Sequence, residues 1–206
     1  MSKQRRLEVR VATLPWEFEQ IHRLNYRTFV EEIPQHPANP EGRLVDRYHS
    51  ENTYLVAVVQ HPNRDPNREW IVGMVAYRAR RPFSLDGKLE RLDDYLPSDC
   101  SPCEIRLLAV TPEYRRSRVC ASLLESVGAL AIEQGHDVAL ISATTRQLRL
   151  YAHLGFTPFG PLVGTAAAPF QPMLLTVATY QERRAALRPV LSPGPRARHA
   201  VSSSEV

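Results

Sequence analysis

"RLLAVTPEYRRSRVCASLLESVGAL", residues 106–130, changes character twice within twenty-five residues. The apolar run Leu107 to Val110 ends at Thr111-Pro112, and a turn with arginines at 115, 116 and 118 follows. Then Val119, Leu123, Leu124, Val127, Leu130 and Ala131 recur at helical spacing. A strand, a tight cationic turn and a helix N-terminus in that order form a device for gripping an anion. The first amides of a helix have no acceptor within it, and the helix dipole is positive there. Ser117 is the expected N-cap of a helix beginning near Arg118. A basic triplet alone is usually a solvated turn; the elements on either side favour anion binding here.

Upstream, "LEVRVAT" (Leu7 to Thr13) alternates as a half-buried strand does. Pro15 suits the first turn of a helix that carries Phe18, Ile21, Leu24 and Phe29 to Glu32 and stops before Pro34. After a Pro-rich connection, "TYLVAVVQ" (Thr53 to Gln60) and "WIVGMVAYRAR" (Trp70 to Arg80) read as a hairpin around a polar turn. Residues 81–102 are an excursion with one short helix around Leu89 to Leu96, and "EIRLLAV" (Glu104 to Val110) is the next strand. Downstream of the quoted stretch, "DVALISAT" is a buried strand and "TRQLRLYAHL" a short helix closed by Gly155. "QPMLLTVAT" is the expected last strand. Strand, helix, three strands, helix, strand, helix, strand is the order of a mixed α/β domain.

The chain has 206 residues, 43% hydrophobic and 23% charged, which suits one well-filled soluble domain. No apolar run approaches the roughly 20 residues of a membrane span, so no membrane partner is expected. The start, "MSKQRRLEVRV", lacks the apolar stretch of a secretory signal, and the cytoplasm is the expected location. The formal charge of +4 comes wholly from the region after residue 182, with five arginines against Glu205. The remainder balances at 21 basic and 21 acidic residues, which argues against a nucleic-acid partner. Residues 1–187 are assigned to the domain and 188–206 to a disordered basic tail. Three cysteines make no disulfide framework. One C-x-x-C pair and scattered histidines make no metal site. The excess of arginine over lysine reads as a base-composition bias.

The motifs "AVTPEYRRSRVCASLL" and "RLYAHLGF", with the element order, resemble the GNAT acyltransferase superfamily over roughly residues 7–180. The resemblance implies a single domain built on a central mixed, mostly antiparallel sheet flanked by helices. It implies transfer of an acyl group from acetyl-CoA or another acyl-CoA to the amine of a small-molecule acceptor, without a metal; a homodimer is the assembly considered. In that family the loop reads Arg or Gln, two residues, Gly, one residue, then Gly or Ala. Here Arg115 matches the first position, while Arg118 and Cys120 stand at the two small-residue positions. Carried over, coenzyme contacts fall on Leu108, Ala109, Val110, Arg115, Arg116, Ser117, Arg118, Val119, Cys120 and Ala121.

Tyr151, one turn before "LGF", stands where the family keeps a tyrosine that protonates the leaving thiolate; a phenol with a pKa near 10 is protonated at neutral pH. The alternative for Tyr151 is a core aromatic at helical spacing from Leu148 and Leu154. Glu104 resembles the family's general base, and Arg106 should project to the same face; the alternative for this pair is a structural ion pair. "E-x-R" here, with "LNYRTFVEE" at residues 24–32, is similar to the autoinducer-synthase-like and N-acyl amino acid synthase branches. Two competing expectations are a long-chain N-acyl amino acid synthase, with coenzyme A or acyl carrier protein as donor, and a non-catalytic acyl-CoA-binding module.

Overall fold

The computed structural model describes residues 7–61 and 65–183; the expected tail at 188–206 lies outside the described residues. The order is β1 (Leu7–Val11), α1 (Pro15–Tyr26), a π-helical turn (Arg27–Glu32), β2 (Thr53–His61), β3 (Asp65–Arg78), β4 (Pro102–Val110), α2 (Val119–Glu133), β5 (Val138–Thr144), α3 (Leu148–His153), β6 (Thr157–Pro158), β7 (Val163–Gly164) and β8 (Pro169–Thr176). Short 3-10 turns fall at Leu92–Tyr95, Pro112–Tyr114 and Thr145–Gln147. The strands form one sheet in the order β1-β2-β3-β4-β5-β8-β6, with β7 on β8. Every pairing is antiparallel except β4 with β5. This is the expected mixed, mostly antiparallel architecture.

Several elements differ from the sequence reading: β3 already begins at Asp65 and ends at Arg78, and the first helix gives way to a π-helical turn after Tyr26. β4 begins at Pro102, because Pro102 and Cys103 already pair with Val138 and Ala139. The last strand stops at Thr176, and 177–183 are helical: the Thr176 hydroxyl accepts the Thr179 amide at 3.2 Å and so turns the chain. β6 and β7, two residues each, are too short to leave a periodic signal. Ser117 is not the N-cap of α2. That position belongs to Arg118, already in helical conformation, while the Ser117 hydroxyl donates to the Tyr114 carbonyl at 2.6 Å and accepts the Val119 amide at 3.3 Å.

The helices divide between the two faces of the sheet, and strand alternation decides which residues meet which helix. Leu123 and Val127 of α2 pack on Leu55, Ala57, Val75, Cys103, Ile105 and Ile141, with α3 against the same layer through Leu148, Tyr151 and Leu154. The opposite face carries Ile21 and Leu24 of α1 on Val56, Val58, Met74 and Ala76. A third cluster, Phe83, Leu85, Leu140 and Phe170, fastens the 81–101 excursion to the sheet. Gly73 sets the height of α2: a Cβ there would stand 2.7 Å from Val119 Cγ1 and 3.0 Å from Leu123 Cδ1, so only glycine lets the first turn of α2 sit down on β3. Leu123, fully buried, contributes about 1.5–3 kcal/mol through its burial. Gly155, at φ +99°, ends α3 as the sequence predicts.

Candidate active site

β4 and β5 run parallel, yet they pair only over Pro102–Glu104 with Val138–Leu140. Beyond Glu104 they part. The cause is on the other edge of β4, where the ladder to β3 slips between Ala76↔Arg106 and Met74↔Ala109, leaving Leu107 and Leu108 opposite Val75. Leu107 takes φ +55°, an unusual left-handed conformation for a leucine. Such a bulge bends and twists its strand. The result is a wedge through the sheet, a cleft of about 470 Å³ lined by residues 104–110 of β4, by Ile141, Ser142 and Thr144 of β5, and by parts of the flanking helices.

Because the wedge pierces the sheet, its two mouths carry different chemistry. On the α2 face stand Cys120 and Tyr151. Tyr151 meets Phe156 edge to face, with centroids 5.8 Å apart, and its hydroxyl has no hydrogen-bond partner among the described residues. Burial, with the Cys120 thiol beside it, pushes the phenol up to about 12. Burial also raises the Cys120 thiol, so neither group brings negative charge into the cleft at neutral pH. The N-terminus of α2 opens beside them: the amides of Cys120 and Ala121 lie in its first turn, beyond reach of any intrahelical acceptor.

On the α1 face stand Glu104 and Arg106, opposite Arg78 and Ala76 in the ladder. Their same-side projection holds, with Arg106 Nε 3.7 Å from Glu104 Oε2. The Glu104 carboxylate is buried and accepts the Ser84 amide at 2.8 Å and the Ser84 hydroxyl. Each of its oxygens keeps a further lone pair. Asp46, from the connection between the π-helical turn and β2, holds Arg106 by two hydrogen bonds of 2.9 and 3.0 Å. Lys88 completes this mouth, donating to Ser142 Oγ at 3.4 Å with its ammonium 5.5 Å from the Phe170 ring centroid.

The residues expected at the coenzyme divide three ways. Leu108, Ala109, Val110, Arg115 and Cys120 line the cleft. Arg115 is engaged within the protein: its Nε donates to the Val110 carbonyl at 3.0 Å, and its Nη2 pairs with Glu32. Arg116, Ser117, Arg118 and Ala121 are exposed beside the cleft rather than on its wall, and Val119 is buried under α2. Sequence reasoning missed Asp46, Ser84, Lys88, Ser142 and Phe170, which reach the site from distant connections and from β5 and β8. Among the described residues no group of three metal-ligating side chains occurs, and no helix is long and apolar enough to cross a membrane.

A parallel pair that splays beside a helix N-terminus, inside an otherwise antiparallel sheet, is the layout that the resemblance to the GNAT fold leads one to expect. Three solved structures have a similar overall fold. FeeM, an N-acyl amino acid synthase from uncultured soil microbes, superposes with a TM-score of 0.67 at 18% identity, over 87% of this chain and 96% of that one. BjaI, a CoA-dependent acyl-homoserine lactone synthase solved with SAM and isopentyl-CoA, gives 0.65 at 21% identity, over 90% of each chain. An acetyltransferase of the GNAT family from Staphylococcus aureus Mu50 gives 0.56 at 13%, over 84% of this chain and 99% of that one. A search among curated proteins found no match. The family model for the N-acyl amino acid synthase FeeM matches residues 20–176, and the chain belongs to that family. It is an N-acyltransferase.

Proposed function

We propose that the protein joins the acyl group of a thioester to the amino group of a small amino-acid-like acceptor. The observation that carries this reading is one cleft through the sheet, with Tyr151 at one mouth and Glu104 at the other. The donor enters on the α2 face, its phosphates drawn to the unpaired amides of Cys120 and Ala121 and to the exposed Arg116 and Arg118. The acceptor enters on the α1 face, between the connection that carries Asp46 and the 81–101 excursion. Its neutral amine attacks the thioester carbonyl carbon. The carbon–sulfur bond then breaks, Tyr151 gives its proton to the departing sulfur, and Glu104 takes the proton the nitrogen sheds.

Two features favour a donor longer than acetyl. An almost wholly apolar cavity of about 80 Å³ lies behind the cleft and shares Ile105, Leu124 and Phe156 with it, which gives an alkyl chain somewhere to go. Family membership points the same way. A second reading concerns what carries the acyl group. Arg118 stands where a glycine would let backbone reach a pyrophosphate, and both Arg116 and Arg118 have unengaged guanidinium groups among the described residues. That suits the acidic surface of a carrier protein as well as the phosphates of coenzyme A.

The test is an acyl-transfer assay in which acetyl-, octanoyl- and dodecanoyl-CoA, and dodecanoyl acyl carrier protein, are offered with the twenty amino acids. Amide formed from the long donors and not from acetyl-CoA supports the reading, and the ratio of CoA to carrier-protein rates assigns the carrier. Amide from acetyl-CoA alone would return the function to simple acetylation. No amide from any pair would leave a non-catalytic acyl-binding module.

A further inference from the structure

The chain contains twenty-four arginines but only two lysines, Lys3 and Lys88. Lys88 is the only lysine among the described residues, and it lines the cleft. A lysine offers a compact, mobile point charge where an arginine offers a flat, rigid fork. Its position is built rather than incidental. The Ser84 amide and hydroxyl are clamped by Glu104, the Lys88 amide closes a turn on the Leu85 carbonyl at 3.0 Å, and Leu85 is fully buried. From that anchored turn the side chain reaches across the mouth of the wedge to Ser142 on β5 and to Phe170 on β8.

Two other cations of the cleft wall differ in one respect. Arg106 is held by Asp46 and Arg115 by Glu32, so each already has a carboxylate. Arg146, at the 3-10 turn that leads from β5 into α3, is exposed as Lys88 is and also has no carboxylate partner among the described residues, but it belongs to a different element from the Ser84–Lys88 turn. Among the described residues Lys88 has no carboxylate within salt-bridge distance, and the one hydrogen bond of its ammonium is a long one to a neutral hydroxyl. The ammonium thus keeps donors free and faces the cleft without a counter-ion. Its pKa is lowered by burial, against the pull of Glu104 and with the push of Arg106 and Arg47. An arriving anion would reverse that penalty.

The geometry says which anion. The donor's phosphate loop lies past the far end of β4, six residues beyond Glu104, or roughly 20 Å at about 3.3 Å per residue, and on the opposite face of the sheet. Lys88 is therefore on the acceptor's side. There Glu104 and Lys88 set a negative and a positive group next to each other in one mouth, the complement of a molecule with its amino and carboxylate groups one carbon apart. We infer that Lys88 binds the carboxylate of the acceptor and so selects α-amino acids over simple amines, a role that rests on the N-acyltransferase reading above. It is a specificity-determining residue, and the turn 84–88 fixes its reach.

Full-length protein and its Lys88→Met and Lys88→Arg variants, each confirmed folded by circular dichroism, are assayed with dodecanoyl-CoA or dodecanoyl acyl carrier protein. Each amino acid is set beside the amine that lacks its carboxyl group. Wild type should prefer the amino acid. In Lys88→Met the KM for the amino acid should rise about 10- to 100-fold, the range for losing a hydrogen bond to a charged group, with the donor's KM unmoved, and the preference should collapse. Lys88→Arg should keep part of it. A wild type that acylates amines as readily as amino acids, or a Lys88→Met that keeps the preference, overturns the assignment while leaving the transferase reading intact. No acylation of any acceptor by wild type sinks the transferase reading and this one with it. The mass of wild type incubated with donor alone should be unchanged; a dodecanoyl group on Lys88 would make it a nucleophile instead.

Discussion

At the residue scale the reaction rests on two side chains whose surroundings differ. Tyr151 is enclosed by Phe156 and Cys120, with its hydroxyl left over for the substrate, whereas Glu104 is tied to Ser84 and retains only its spare lone pairs. Tyr151→Phe removes a hydroxyl that holds nothing in the free protein, so it should cost roughly 10² or more in turnover while shifting stability by less than about 0.5 kcal/mol. Glu104→Gln should lose activity on the same scale and also lose stability, because an amide presents one acceptor oxygen where Ser84 needs two. Rapid-quench turnover and urea titration of both variants separate these outcomes. The pH profile is a further check. With the phenol pushed up to about 12, it stays protonated through the working range, so turnover should show no loss attributable to Tyr151 between pH 7 and 10. The sign for stability is the same: the contribution is complete below the unfolded pKa near 10 and fades as pH rises toward 12.

At the element scale the decisive contact is α2 on β3. The helix N-terminus reaches the cleft only because Gly73 lets Val119 settle onto the strand. Gly73→Ala should lift that turn, costing about 1–3 kcal/mol as overpacking does, with a fall in Tm of roughly 2–12 °C for a chain of this size. Donor affinity should weaken with it, because the amides of Cys120 and Ala121 ride on the same turn. Calorimetric melting and titration with dodecanoyl-CoA would measure both, and unchanged donor affinity would detach the helix N-terminus from donor binding. The cationic turn was legible in the sequence because it joins two strongly periodic elements. Its cap was not: Ser117 has the right chemistry, but Pro112 starts a 3-10 turn that carries the chain one residue further before the helix begins.

At the scale of the whole molecule, the acceptor mouth depends on a connection packed against α1. His22 of α1 is buried against His49, ring centroids 4.7 Å apart, and its carbonyl accepts the Leu44 amide at 3.0 Å. His49 Nδ1 lies 3.3 Å from the Tyr54 hydroxyl, and Asp46 on the same connection holds Arg106 at the cleft. Burial, helped by His49 and Arg43 and opposed by Glu19, lowers His22 to about 4. An unfolded histidine titrates near 6.5, so between those values the unfolded chain binds the extra proton. The stabilisation is complete above about pH 6.5 and is lost as pH falls toward 4, on the order of 1–3 kcal/mol. Urea unfolding of wild type and His22→Leu from pH 4.5 to 7.5 checks this: the wild-type slope should be the steeper, and equal slopes would refute it.

The sequence by itself determined what local periodicity and turn chemistry can carry: the order of the longer elements, the mixed α/β class, the cationic turn before α2, the glycine that stops α3, and the shared face of Glu104 and Arg106. These follow from spacing within a strand or helix and need no partner from elsewhere in the chain. Tertiary structure alone decided that β4 and β5 pair for three residues and then part, since a bulge is a relation between two strands and leaves no mark in either one. It also decided that Asp46, Ser84, Lys88 and Phe170 meet at one mouth. They are separated by up to 124 residues of sequence, and only the closing of the sheet around β4 brings their charges and rings into a single cleft.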